Sequence, residues 1–88
     1  MPVRIEVTNM STRHDAIDVY WVDHSGNEVR KGSIRGGGRT WTQTTFIGHP
    51  WTFRVGPGEE NVLLRYVPFR VVPSITGRSP VTRSASLS

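Results

Sequence analysis

The sequence predicts an all-β domain, an antiparallel β-sandwich of seven to eight short strands. Three observations lead there. β-branched and aromatic residues recur in short runs in which apolar and polar side chains tend to alternate. Glycine, proline, asparagine and aspartate punctuate those runs at the spacing of tight turns. No stretch repeats apolar residues at helical spacing with caps at its ends, so no helix is placed.

Each element follows from its residues. Val3, Ile5 and Val7 alternate with Arg4, Glu6 and Thr8, a half-buried strand ending at Asn9. AIDVYWVD, residues 16 to 23, forms a second strand with apolar groups on both sides, which leaves its inward face open. HSGN (24 to 27) is a turn and EVRKGSI a third strand. RGGG (35 to 38) breaks that strand as a flexible β-turn, and RTWTQTTFI resumes with residues that favour the pleat. WTFRV, the turn GPGEEN, VLLRYVP and FRVVPS come next. The final segment, ITGRSPVTRSASLS, holds a turn and a weak last strand before a serine-rich frayed end. One domain over 1–88 is expected, ordered over 2–83.

Composition excludes several classes. A chain of 88 residues buries only about 60–65% of its unfolded surface, which leaves little room for a deep catalytic cleft. No apolar run approaches the ~18 residues that span a bilayer, and the start MPVRIEVTN lacks the apolar core of a signal peptide. With no cysteine, disulfides and thiolate metal sites are excluded, and a cytoplasmic or nuclear address is the default expectation. The formal charge is +4, carried by ten arginines and one lysine, Lys31, which favours anionic partners in general. The arginines are spread along the chain, however, and several alternate with apolar residues, as on the solvated faces of strands.

Catalytic and metal chemistry find little support. His14, His24 and His49 do not fall at zinc-ligand spacings. RGGGRT lacks the lysine-hydroxyl ending and the following helix of a phosphate-binding loop. Nothing places a nucleophile on a strained elbow beside a base. The expectation is no enzyme, no cofactor and no metal.

What remains is aromatic and hydroxyl-rich, above all the stretch TTFIGHPWTFR (44 to 54). Trp21, Trp41, Thr45, Phe46, His49 and Trp51 suit either a core and its rim or a shallow apolar pocket with a polar handle. The Gly-His-Pro break between two strands would bring Thr45, His49 and Trp51 round one concavity, with Trp21 approaching from another strand.

VYWVDHSGNE, GRTWTQTTFIGHPWTFR and LLRYVPFRVVPS together resemble the β domain of the von Hippel–Lindau tumour suppressor family. The shared features run in order: Asn9-x-Ser11, Trp21-x₄-Gly26, Gly-His-x-Trp-x-Phe-Arg over 48 to 54, Val72-Pro73-Ser74, and a trailing Ser-Pro-Val. They cover nearly the whole chain. The resemblance implies a prealbumin-like sandwich that grips 4-hydroxyproline in an extended peptide. It implies that His49 and Thr45 contact the prolyl hydroxyl, Thr45 standing where the family has serine, and that Trp21 and Trp51 line the ring. Phe46 stands where the family has another aromatic bearing a phenol oxygen, and Lys31 falls where the family has the pocket tyrosine. The family's C-terminal helical domain, which recruits elongin and a cullin ubiquitin ligase, has no counterpart in these residues, so a stand-alone module is expected.

The reading is therefore a non-catalytic peptide- or protein-binding β-sandwich with a site at Trp21, Lys31, Thr45, Phe46, His49 and Trp51, monomeric and independent of membranes. The alternative is a basic β module that binds single-stranded nucleic acid, or carbohydrate, through exposed aromatics.

Overall fold

The first strand, β1 (Pro2–Asn9), buries Val3, Ile5, Val7 and Asn9 and turns Pro2, Arg4, Glu6 and Thr8 the other way, the period-two pattern written in its sequence. A computed structural model describes residues 2–68 and 81–87 of the chain. Its other strands are β2 (Ala16–Val22), β3 (Glu28–Arg35), β4 (Arg39–Phe46), β5 (Trp51–Arg54), β6 (Val62–Tyr66) and β7 (Val81–Leu87), with one 3₁₀ turn at Glu59–Asn61. The expected strand FRVVPS and the turn after it lie outside the described residues.

The strands form two sheets, ordered β4-β1-β7 and β3-β2-β5-β6. Ile5, Val7 and Leu87 from the first meet Ile17, Val19, Ile34, Trp51 and Phe53 from the second in one apolar cluster. This is an all-β sandwich, and every helix-free segment anticipated from periodicity up to Tyr66 is a strand or a turn. β2 resolves its ambiguity by burying Ile17 and Val19, while Asp18 and Tyr20 are only half-buried.

Two details depart from expectation. The sandwich is not antiparallel throughout, because β7 runs parallel to β1, from Val3 beside Val81 to Asn9 beside Leu87. Order also extends beyond residue 83. Leu87 is buried in the core, and its carbonyl accepts the Met10 N–H at 2.6 Å.

The glycine break is a crossing between sheets. β3 is an edge of the four-stranded sheet and β4 an edge of the three-stranded one, so residues 36–38 carry the chain from one layer to the other. Gly37 and Gly38 have φ of +87° and +82°, which only glycine adopts readily. The crossing is tied down, since Gly36 N–H donates to Asp15 O at 2.9 Å and Gly38 N–H to Asn9 O at 3.0 Å.

Asn9 closes this end of the core. Its side chain is fully buried; Nδ2 donates to Ile34 O of the opposite sheet at 2.9 Å, and Oδ1 accepts the Ser11 N–H at 2.9 Å. Ser11 Oγ in turn accepts the N–H groups of Arg13 and His14, each at 3.1 Å. Asn-x-Ser is thus a structural pin that satisfies buried backbone groups where two sheets converge.

Candidate functional site

At the far end of the sandwich the chain turns sharply between β4 and β5. His49 N–H donates to Phe46 O at 3.2 Å, and Gly48 at the third position of that turn has φ +86°, the requirement of a type II turn. Gly48 N–H donates to Pro68 O at 2.6 Å, and Pro50 O accepts the Val22 N–H at 3.0 Å, so both sides of the turn are fastened. His49 stands on the exit of the turn and Trp51 opens β5, and the two side chains part company there.

Trp51 goes inward. It is 3% exposed, and its indole Nε1–H donates to Thr45 Oγ1 at 3.1 Å; Thr45 is also 3% exposed. Thr45 faces inward because it lies opposite Val3 in the β1–β4 ladder. The Trp51 ring meets Trp41 edge-on at 5.4 Å between centroids, and Trp41 meets Phe53 at 6.0 Å, an aromatic stack through the core. The concavity expected to join Thr45, His49 and Trp51 is therefore divided: Thr45 and Trp51 are floor, committed to one another.

His49 goes outward, into a row of rings at the surface. Its imidazole lies 5.6 Å from Phe46 and 6.0 Å from Trp21, centroid to centroid. Phe46 is 50% exposed, and Trp21 and His49 are half-buried. Trp21 sits directly across from Trp51 in the β2–β5 ladder, at the rim of the same core. The row continues to Lys31, whose Nζ lies over the Trp21 ring, 5.6 Å from its centroid.

A β-bulge puts Lys31 there. In the β2–β3 ladder Val19 pairs with Gly32 and Tyr20 with Arg30, which leaves Lys31 as the extra residue. Bulges re-aim side chains in this way. Gly32 lies alongside against Trp41, where a Cβ would stand in van der Waals contact, 3.4 Å from the indole nitrogen. The four residues Lys31, Trp21, His49 and Phe46 thus come together at the surface, and Thr45 and Trp51 lie beneath them.

Beside this row is a recess of about 210 Å³ lined by Trp21, Val22, Asp23, His24, Gly48, His49 and Pro50. Asp23, expected from the sequence to end the second strand, and His24, expected only to form the following turn, both line it. The signal was present, since Asp23 stands two residues after Trp21. Asp23 is occupied in shaping the turn, its Oδ1 accepting the N–H groups of Ser25 and Asn27, each at 2.9 Å. Among the described residues no three His, Cys, Asp or Glu side chains converge as a metal-binding group, and no helix is long and apolar enough to cross a membrane.

The chain matches no protein-family model and no curated protein.

Proposed function

We propose that this domain is a non-catalytic module that binds an extended peptide or protein segment, seating one ring-bearing side chain in the recess beside Trp21 and His49. The observation that carries the reading is the unbroken surface row of Lys31, Trp21, His49 and Phe46 beside that recess. Its volume of about 210 Å³ is below the ~300 Å³ at which sites for drug-sized ligands begin, and it suits a single side chain. An extended peptide points alternate residues to one side, so one can enter while its neighbours lie along the exposed rings.

The resemblance to the von Hippel–Lindau β domain supports hydroxyproline as that residue. A pyrrolidine ring suits an aromatic wall, and its hydroxyl needs a hydrogen-bond acceptor that a neutral imidazole supplies. With Thr45 Oγ1 buried against Trp51, the exposed contact to the hydroxyl falls to His49. Lys31 keeps a hydrogen-bond donor beside Trp21 where the family has tyrosine, without the aromatic wall.

Titration of tryptophan fluorescence with matched proline and hydroxyproline peptides tests this. Saturable binding that favours the hydroxylated peptide and barely responds to salt is the expected result. Binding of a single-stranded oligonucleotide instead, falling steeply as salt rises, would replace this reading with the nucleic-acid one.

A further inference from the structure

At the opposite end of the sandwich from the rings, where β3 crosses to β4, lies a second and larger groove of about 520 Å³. The registers separate the two: Arg39 and Phe46 are the two ends of β4, and Asp15 immediately precedes β2 while Trp21 lies near its far end. We infer that this groove is a binding site for a small oxyanion of the phosphate class, independent of the peptide reading above.

The argument is an imbalance between donors and acceptors. Arg35 and Arg39 stand on either side of the glycine crossing, both line the groove, and both are exposed. Among the described residues neither guanidinium is in an ion pair; the three ion pairs use Arg30, Arg54 and Arg65. Ser11 Oγ already accepts two N–H groups, which leaves its own hydrogen to donate. The Thr12 hydroxyl lines the same groove. Against these donors the groove carries one carboxylate, Asp15, and the His14 imidazole. A surplus of donors, with two forked guanidinium groups among them, suits a ligand that is all acceptor and negatively charged. Phosphate oxygens match the guanidinium fork in geometry as well as charge.

The backbone makes the approach possible. Gly36 and Gly38 use their N–H groups to fix the crossing, and at Gly37 an added Cβ would meet nothing within 4 Å. The segment between the two arginines is held in place without a side chain over the groove. The arrangement favours a compact anion over a nucleic-acid strand, because the rings on which bases would stack lie at the other end of the molecule.

The test is a heteronuclear NMR titration of the folded protein with inorganic phosphate at constant ionic strength, chloride being exchanged out. Amide shifts should saturate and be confined to residues 11–15 and 35–39, with 46–51 unmoved. Arg35→Gln combined with Arg39→Gln should weaken binding roughly tenfold or more, since each removes a charge-assisted contact. Asp15→Asn should tighten it several-fold by removing the one opposing charge, and this variant reads the site even if the arginine pair proves necessary for folding. Shifts that never saturate, that spread over the whole surface, or that ignore both sets of substitutions would overturn the site. Equal binding of acetate would overturn the assignment to phosphate.

Discussion

The two ends of the sandwich solve the same problem with different chemistry. Each must close a core where strands stop and polar groups become trapped. At the ring end a side-chain pair does it, the Trp51 indole donating to Thr45. At the glycine end Asn9 and Ser11 do it by bonding backbone groups, including one from the opposite sheet. Once those buried groups are satisfied, the residues just outside them are released from structural duty. At one end they are Trp21, His49 and Phe46, whose proposed attraction for a peptide would come largely from contact and desolvation. At the other they are Arg35 and Arg39, whose proposed attraction for an anion would be Coulombic and screened by salt. In each case the group that closes the core lies behind the surface proposed to bind.

The largest expected effect comes from breaking the closure at the ring end. Trp51→Ala removes a buried indole from the aromatic stack and should cost about 3–5 kcal/mol of stability in urea denaturation. A loss below ~1 kcal/mol would show that Trp51 is not the floor of the site. Asn9→Ala should come next, at about 2–3 kcal/mol, because it leaves the buried Ser11 N–H without its acceptor and removes the fully buried side chain that ties β1 to the opposite sheet. In hydrogen exchange the Ser11 amide should lose protection in the variant before the amides around Trp51 do.

Trp21 sharpens the comparison from the surface side. Trp21→Ala should weaken binding of a hydroxylated peptide by about 2 kcal/mol, as loss of an interface anchor does. Its melting temperature should fall far less than that of the Trp51 variant. Equal destabilisation by the two substitutions would erase the distinction between wall and floor.

His49 tests the polar contact itself. A neutral imidazole nitrogen accepts from the prolyl hydroxyl, and that acceptor is lost when the ring is removed. His49→Ala should therefore abolish most discrimination between the hydroxylated and the proline peptide in the fluorescence titration. Undiminished discrimination in the variant would end the acceptor role.

The smallest effect lies away from both ends. A two-pronged contact with Arg65 holds the Glu59 carboxyl below the ordinary carboxylate range and raises the arginine. A depressed folded-state value means the pair stabilises above the unfolded value of about 4.3 and loses that contribution as pH falls through the folded one. The pair is fully exposed, so thermal melts of Glu59→Gln should nearly overlay those of the parent at pH 7, and the residual difference should vanish in acid. A large gap at neutral pH would mean that the 3₁₀ turn depends on this contact.

Much of this architecture is legible in the chain. Alternation in β1 and the threonine-rich run of β4 mark their strands without help, and the glycines at 26, 37, 38 and 48 mark where φ turns positive. Four of the six residues singled out for a site, Trp21, Lys31, Phe46 and His49, do meet at the surface. The division between them and Thr45 with Trp51 was not legible. His49 and Trp51 are two apart and share a face in any straight strand, whereas a type II turn at Gly48 breaks that parity.

The sequence by itself determined where the strands and turns lie, because periodicity and turn chemistry are local and act between residues a few positions apart. It determined the all-β class for the same reason. Only the tertiary structure decided which face of β2 is inward, that β7 joins β1 in parallel, and that a bulge opposite Val19 and Tyr20 swings Lys31 over Trp21. Those outcomes depend on the partner strand, and a partner enters only when distant segments compete to bury the same apolar surface.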